Sequence, residues 1–564
     1  MDNKQSLPFK KSFLVACLCL FCSQIFSQVV APGAQLQELD KRNAEQTAPN
    51  EAVVAKPAGE TVQFLGFKFS GLDQDQLAKI GDVWKPKVGE QLSFQEINSL
   101  LDLAQRVLQK QGDSIVLILL SGHSKSLLNV KAVPVNYAGV VLKNEGALSD
   151  SYVTSVLNYD IDGNKINSSQ LERNAQILSE TPGARLAYGM VPGKNAGDTE
   201  LQVQLEQTPV FQGFAEEANT GVKQMGMWQT FVGGSLSNAL GQGEQIALTG
   251  MAASNSYFVA GSADMPIGYS GLRGGITGSY FNYSYMQGVG DQFTGNASSS
   301  GLYLTYPLAR TPTHKSNLKA EYLWKTNNGN FDPAGPAPIM GLSDLPETIF
   351  NLTYSGANAL SSIDTVSYSV TGSAGNVKQG IASAAAQDYY GPQQLGQFAK
   401  LAGSGSWEHF LGKDSVQFTA QFQISNKNLS SGDKMYWGGM NNFSGYQTQT
   451  IGVDQGSSIK AQYNFRTQAS DIPLQISPFA EYGAGVINHN NYQSVNYLGA
   501  VLKSANGNNV RMADAGIAVQ AQVAKNTTIS GSVAARLMPI PTPFNLPTHT
   551  PSAVQGFVKL GYQL

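Results

Sequence analysis

Acidic and amide residues in one short stretch have the spacing of a cation-binding loop. Asn158, Asp160, Asp162 and Gly163 follow the first half of the calcium-loop pattern. The position that should supply a bidentate glutamate is Ser169, so the strongest ligand of such a loop is missing. We therefore interpret this stretch as a turn between a strand and a helix, and we expect no metal there.

Catalytic motifs are missing as well. The five histidines are far apart, none forms an HExxH pair, and neither a GxSxG elbow nor a GxxxxGK[ST] phosphate loop occurs. The net charge is −3, and the chain has no basic cluster that would bind nucleic acid. These features argue against an enzyme and predict no cofactor and no nucleic-acid partner.

The N-terminus has the pattern of a secretory leader. Lys10 and Lys11 precede the apolar run FLVACLCLFC, and cleavage is expected after Ser27, so residues 1–27 are predicted to be a signal peptide. The run is too short to span a bilayer, and no later segment offers about 18 unbroken apolar residues. All three cysteines lie in this leader, so the mature chain is predicted to have no thiol; they are Cys17, Cys19 and Cys22.

A dyad rhythm of apolar and polar residues dominates the second half of the chain. Between Asp414 and Ser425, five apolar residues fall on one side of an extended strand, namely Val416, Phe418, Ala420, Phe422 and Ile424. Charged residues make up 14% of the chain, against roughly 25% in soluble domains. From Val210 onward about sixteen such strands are expected. Behind a secretory leader, residues 210–564 are thus predicted to form an outer-membrane β-barrel, with a soluble β-sandwich as the alternative.

Composition also suggests where the barrel has long loops. Four segments are rich in Gly, Asn, Ser and Asp and are predicted to be surface loops, at residues 286–298, 327–347, 375–394 and 426–456. The aromatic pair Phe281 and Tyr283 is interpreted as part of the girdle at the membrane interface.

Two similar α+β modules are predicted before the barrel, at residues 62–132 and 133–209. Each contains an S-x-x-E capping box ahead of an amphipathic helix, Ser93 with Glu96 and Ser169 with Glu172. The apolar helix faces near 100–108 and 171–178 are interpreted as module core rather than as a binding surface. Residues 28–61 are predicted to hold a short polar helix and a linker.

These parts together resemble the outer-membrane transporters of two-partner secretion, the family that exports haemolysins and filamentous haemagglutinins. The resemblance rests on the start of the first helix at Pro32 and Gly33 and on three phrases, SSQLERNAQILSETPGARLAYGMVPG, SNALGQGEQIAL and MYWGGMNNFSGYQ. It implies that the modules are POTRA domains and that the first helix plugs the pore. It also implies that the long loop after the eleventh strand folds back inside the barrel.

The tip of this loop departs from the family pattern. Members of the family carry Val-Arg-Gly-Tyr/Phe, whereas the expected tip here consists of Gly438, Gly439, Phe443, Ser444, Gly445 and Tyr446. The arginine, which could form two hydrogen bonds to a carboxylate, is missing. The hypothesis is that Tyr446 and Trp437 hold the loop by packing and single hydrogen bonds.

The wall motif that faces the tip in the family is altered too. It is an aromatic-x-Asp sequence, and Gly483 stands where the acid would fall, although Phe479 and Glu481 keep the pattern two residues earlier. The expected wall partners are therefore Phe479, Glu481, Tyr482 and Gly483.

The resemblance implies a translocase that exports a large secreted partner, such as an adhesin or a cytolysin, from the periplasm to the cell surface without nucleotide hydrolysis. The modules would capture this partner, and the barrel would act as a monomer in the lipid of a Gram-negative outer membrane. A factor that inserts other outer-membrane proteins remains the alternative. A diffusion porin is less favoured, because a passive pore needs no periplasmic modules.

Overall fold

The computed structural model describes residues 61–564. It leaves out residues 111–115, 125–126, 135, 162–167, 195–197, 288–290, 333–339, 382–384, 386–387, 390, 493, 496–500, 503–507 and 541–551. The predicted signal peptide and nearly all of the predicted plug helix and linker thus lie outside the described residues.

Two small α+β units come first. Their strands are β1 (Thr61–Gln63), β2 (Phe67–Ser70), β3 (Gln91–Ser93), β4 (Val116–Ser124), β5 (Leu127–Pro134), β6 (Asn136–Asn144), β7 (Ala184–Pro192) and β8 (Asp198–Gln207). Their helices are α1 (Gln74–Trp84), α2 (Phe94–Lys110), α3 (Asp150–Leu157) and α4 (Ser168–Ser179). The first unit has a sheet of order β2-β5-β4, and the second has the order β6-β8-β7. In both sheets one pair is parallel and one is antiparallel.

Local signals in the sequence explain where these helices begin. The Ser93–Glu96 capping box is formed, since the Glu96 carboxylate accepts from the Ser93 backbone N–H at 2.7 Å. A second box, which the sequence analysis missed, joins Asp73 and Gln76 at the start of α1. Ser169 already lies inside α4, which begins at Ser168, so it is not the residue that caps this helix.

The apolar helix faces form the cores of the two units, as predicted. Leu101, Ala104 and Leu108 of α2 are buried in the first core, and Leu171 and Leu178 of α4 are buried in the second.

The turn that imitates a calcium loop follows α3 rather than a strand, so its predicted position between a strand and a helix was wrong. Within the described residues, no cluster of His, Cys, Asp and Glu could hold a metal ion.

The rest of the chain forms a closed antiparallel barrel of sixteen strands, which confirms the predicted fold class. The strands are β9 (Phe211–Ala218), β10 (Gln229–Ser237), β11 (Gln245–Ala253), β12 (Ser256–Pro266), β13 (Arg273–Gln287), β14 (Asp291–Arg310), β15 (His314–Asp332), β16 (Met340–Asp344), β17 (Glu347–Ala359), β18 (Asp364–Val377), β19 (Gly396–Leu411), β20 (Asp414–Ser425), β23 (Gln455–Ala469), β24 (Ile472–Val486), β27 (Asn509–Ala524), β28 (Thr527–Arg536) and β29 (Val554–Gln563). β16 and β17 count as one strand because both pair with β15. Two hairpins form small sheets that are separate from the barrel sheet. They are β21 (Met435–Trp437) with β22 (Ile451–Val453), and β25 (Ser494–Val495) with β26 (Val501–Leu502).

The dyad pattern places apolar side chains outside the barrel and polar side chains inside. Phe418, Phe422 and Ile424 of β20 are exposed on the outer face, while Gln423 points inward and is buried. Phe418 is directly opposite Trp407 of β19, and their rings stack at 5.7 Å on the outside of the barrel. This alternation suits a wall between lipid and a wet interior.

Two predictions about the barrel were wrong. Phe281 and Tyr283 do not face the membrane interface, because they are buried in an aromatic cluster inside the barrel together with Tyr285 and Phe293. The segments 286–298 and 327–347 are not simple loops, since β13, β14, β15 and β16 occupy most of both. Their backbones pair across the sheet, and this pairing does not depend on apolar side chains.

The second unit is attached to the barrel through an ion-pair cluster. The Arg310 Nε of β14 lies 2.6 Å from a Glu180 carboxylate oxygen, and Lys315 of β15 lies 3.2 Å from the other. Arg173 of α4 donates to the carbonyl oxygen of Pro307 at 3.0 Å. The turn after α4 therefore meets the barrel at the end where β14 stops and β15 starts.

Candidate functional site

The long connection between β20 and β23, residues 426–454, crosses the interior of the barrel. Asp433 near its start contacts Lys325 of β15. Gly445 near its middle donates a backbone N–H to Asp514 of β27. Because β15 and β27 are far apart around the barrel, a single loop can contact both only by passing across the lumen.

Backbone amides of the loop tip bind carboxylates of the barrel wall. The Phe443 N–H donates to the Glu481 carboxylate at 2.5 Å, and the Gly445 N–H donates to the Asp514 carboxylate. Hydrogen bonds to ionised acceptors are stronger than those between neutral groups. The tip thus uses main-chain donors where the family pattern has an arginine side chain.

Tyr446 adds a further attachment at the tip. Its hydroxyl lies 2.9 Å from the carbonyl oxygen of Met538 and 3.1 Å from that of Ala513. The Tyr446 side chain is fully buried, and burial raises the pKa of its hydroxyl, which therefore stays protonated as a donor. Ser444, which occupies the arginine position, is also buried and donates to Met440 within the loop at 3.1 Å.

Glycines of the wall make room for aromatic residues of the loop. A Cβ atom on Gly483 would lie 2.6 Å from Cζ of Phe443, so any side chain there would clash with the ring. Trp437 packs in the same way against Gly456 and Gly485. The Trp437 and Phe443 rings are in contact, with centroids 5.3 Å apart. Small residues on β23 and β24 therefore form a shallow seat for the loop.

Two glycines shape the loop before its tip. Gly438 and Gly439 have φ values of 110° and 117°, which L side chains rarely adopt. A Cβ atom on Gly438 would also lie only 2.2 Å from the carbonyl oxygen of Gln447. These positions allow the chain to turn tightly between β21 and the tip.

The structure brings most of the predicted wall residues to the tip but not all of them. Phe479, Glu481 and Gly483 alternate along β24 and point inward. Lys460 of β23 lies 3.0 Å from the Glu481 carboxylate and 4.2 Å from the centre of the Phe479 ring. Tyr482 falls on the opposite face of the strand and is 43% exposed, so it lies outside the site.

Asp514 is the residue that the sequence analysis missed. It is directly opposite Glu481 across the β24–β27 pair, and it is fully buried. The only signal for it is one acidic residue at an inward position of the otherwise apolar stretch MADAGIAV. Two carboxylates in direct opposition are unfavourable without donors, and the two tip amides and Lys460 supply these.

Among the described residues, no helix combines the length and the apolar character needed to span a membrane.

A protein-family model described as haemolysin secretion/activation protein ShlB/FhaC/HecB matches residues 197–505, which are more than half of the chain. A curated relative is the "Heme/hemopexin transporter protein HuxB" of Haemophilus influenzae, 24% identical over an alignment 493 residues long that covers 84% of this chain and 82% of the relative.

Solved structures share the fold over 94–100% of the chain. CdiB from Escherichia coli superposes with a TM-score of 0.68 at 15% identity and covers 100% of both chains. CdiB from Acinetobacter baumannii gives a TM-score of 0.62 at 14% identity, covering 94% of this chain and 97% of the other. The closed barrel, the loop inside it and the family match agree. The chain belongs to the haemolysin secretion/activation (ShlB/FhaC/HecB) family, and it is a two-partner secretion translocase of the Gram-negative outer membrane.

Proposed function

We propose that the second module captures an unfolded secreted partner at its edge strand β7 and delivers it to the barrel, which acts as a monomer. In this proposal residues 62–132 and 133–209 are the two periplasmic modules, and residues 210–564 are the conduit. The observation that supports it most is an edge strand with exposed apolar side chains. No catalytic or cofactor-dependent step is part of the proposal.

β7 has the features of a strand that can accept another. In the described part of the chain it pairs with β8 alone, so its other edge is open. Tyr188 and Met190 are both 43% exposed, and they lie on the same face of the strand as Leu186, which packs on the module core. An exposed edge of this kind is a template for an additional strand.

Helix α4 packs beside β7. Burial and the nearby Glu172 carboxylate of this helix raise the pKa of the Tyr188 hydroxyl. A bound peptide would gain main-chain hydrogen bonds from β7 and apolar contact from Tyr188 and Met190. Main-chain bonds do not depend on the sequence of the peptide, which suits a long unfolded passenger.

The energy for export would come from the passenger itself. The chain has no phosphate loop for a nucleotide. Each segment that reaches the cell surface and folds cannot return through the barrel, so folding outside makes the transfer one-way.

The capture step is tested with a double variant of β7, Tyr188→Ser with Met190→Ser. We expect export to fall by about tenfold, because apolar contact worth about 1.4 kcal/mol corresponds to that factor. The matched control is Val141→Ser, which removes a similarly exposed apolar residue from β6 at the opposite edge of the same sheet. Equal export from the double variant and the parent would contradict capture at β7.

The cargo is tested by deleting the gene and comparing secreted proteins by mass spectrometry. Export predicts the loss of one large secreted protein, whereas an assembly factor would deplete many outer-membrane proteins. HuxB is described as a haem/haemopexin transporter, so the first candidate cargo is a secreted protein of haem acquisition. Loss of growth on haemopexin-bound haem as the iron source, restored by the intact gene, would support that cargo.

A further inference from the structure

We propose that Asp433 is the residue that positions the lumen loop, as an ionic anchor at the base of the loop in place of the missing tip arginine. The proposal concerns residues 430–434, which precede the tip by about ten residues. It assigns a role to Asp433 and to the two lysines that bind it, Lys325 and Lys400.

Asp433 is held by two cations of the barrel wall. Its carboxylate lies 2.7 Å from Nζ of Lys400 in β19 and 3.1 Å from Nζ of Lys325 in β15. The Asp433 side chain is only 3% exposed, so water screens these pairs poorly. Lys400 also donates to the carbonyl oxygen of Asp433 at 3.1 Å, which ties the loop backbone to the same cation.

A second carboxylate completes the cluster. Ser430 of the loop lies 3.0 Å from a carboxylate oxygen of Asp433 and 3.0 Å from one of Glu347 in β17. Glu347 is buried at an inward position of its strand. Lys325 and Lys400 compensate the charge of the Asp433 carboxylate, which makes its burial tolerable.

The next residue, Lys434, is bound on a different side. Its ammonium lies 2.9 Å from the Asp454 carboxylate at the end of the loop and 2.5 Å from the carbonyl oxygen of Ile487, just after β24. Consecutive residues therefore fix the loop base to β15 and β19 through Asp433, and to its own end and the β24 side through Lys434.

The base and the tip differ in the kind of attachment. At the tip, no charged side chain of the loop is used, because peptide N–H groups and the Tyr446 hydroxyl make the bonds. At the base, charges of the loop meet charges of the wall. Burial alone would raise the pKa of Asp433, but Lys325 and Lys400 reverse this effect and lower it, so the anchor stays ionised.

The test uses a cysteine reporter at the tip of the full-length protein. Ser444→Cys is suitable because Ser444 is 1% exposed and, among the residues that the structure describes, its hydroxyl donates to Met440 within the loop. The natural cysteines all lie within the first 22 residues, in the predicted signal peptide. The rate of labelling by a membrane-impermeant maleimide, together with conductance in planar bilayers, then reports whether the loop is seated.

In this background, Asp433→Asn is expected to raise the labelling rate by about tenfold or more and to increase the conductance, since it breaks buried ion pairs. Asp433→Glu keeps the charge and should remain much closer to the parent. The matched control is Glu408→Gln, which removes another inward carboxylate, paired with Arg466 at 3.1 Å, that has no described bond to the loop. This control should leave both readouts unchanged.

A double variant distinguishes the loss of the Asp433 anchor from the effect of a buried lysine left without its partner. Asp433→Asn with Lys400→Met removes one charge of each sign, and under the proposal it still raises labelling. Restoration of the parent rate by this double variant would overturn the proposal, since the unpaired lysine would then be the cause. Parent-like labelling in Asp433→Asn, with heat-modifiable migration showing a folded barrel, would overturn it as well.

Discussion

At the scale of single residues, the changes in the tip and in the wall compensate each other. Phe443 is larger than the valine of the family pattern, and Gly483 is smaller than the expected acid. The Phe443 ring occupies the space where a side chain on residue 483 would lie. The larger residue in the tip thus fills the volume that the smaller residue in the wall leaves free. Glu481 and Asp514 then supply the carboxylates from neighbouring inward positions.

This complementarity predicts that Gly483→Ala loosens the tip. A methyl group 2.6 Å from the ring must displace it, at a cost of about 1–3 kcal/mol. The readouts are the temperature at which the folded barrel converts to its unfolded band in gels and the labelling of Ser444→Cys. Adding Phe443→Val should restore both readouts.

Gly372→Ala is the matched control for this substitution, because a Cβ atom there meets nothing within 4 Å. It should behave like the parent. A Gly483→Ala protein as stable and as well protected as this control would show that the Phe443 ring does not need the space.

At the scale of the element, the loop between β20 and β23 has a charged base, an aromatic middle and a tip whose backbone binds the barrel wall. Trp437, Phe443 and Tyr446 form one buried cluster with Val510 and Met512 of β27. This arrangement supports the hypothesis that packing and single hydrogen bonds hold the tip. It also shows that carboxylates contribute, through backbone donors rather than through a cationic side chain.

Tyr446 offers a graded test of the loop. Tyr446→Phe removes the hydroxyl and should cost about 0.5–1.5 kcal/mol of loop attachment, the usual net value of a hydrogen bond. Tyr446→Ala also removes the ring, and losses of this kind cost about 3–5 kcal/mol. Channel recordings should therefore show rare openings for the first variant and frequent ones for the second. Export and gating of Tyr446→Ala that match the parent would refute the hypothesis.

The sequence indicated the loop but not its contacts. MYWGGMNNFSGYQ stood out as a segment of glycines and aromatics that resembles the loop of the family. The family resemblance supplied Phe479, Glu481 and Gly483 as wall residues. Asp514 could not be derived, because it becomes a neighbour of Glu481 only through the register of β24 and β27. The same holds for Asp433, whose lysines lie on two strands that do not pair with each other.

At the scale of the whole molecule, the fold was predictable because each barrel strand separates lipid from a wet interior. Apolar and polar residues therefore alternate along the strand with a period of two. Errors arose where both faces of a strand carry aromatic residues. In β13, Tyr280 faces outward and Phe281 inward, so composition could not identify the lipid side. Polar, glycine-rich segments were assigned to loops, although their backbones continue the sheet beyond the apolar stretch.

The contact between the second unit and the barrel determines how these two parts act together. Glu180 joins Arg310 and Lys315, and Arg310 is buried and also donates to the carbonyl oxygens of Ala309 and Ser316. An ion pair at this depth keeps more of its strength than one on the surface. A firmly seated second unit would hold the β7 edge in a fixed position relative to the barrel.

Glu180→Gln should therefore loosen the second unit without unfolding the barrel. Hydrogen bonds to charged groups contribute about 1.5–3 kcal/mol, so brief opening of the contact should become about tenfold or more frequent. Limited proteolysis of the stretch that joins β8 to β9 measures this opening. The matched control is Glu206→Gln, whose partner Arg185 is 4.0 Å away at the surface, where such pairs contribute about 0–1 kcal/mol. Equal cleavage of the two variants would mean that the Glu180 cluster does not hold the unit in place.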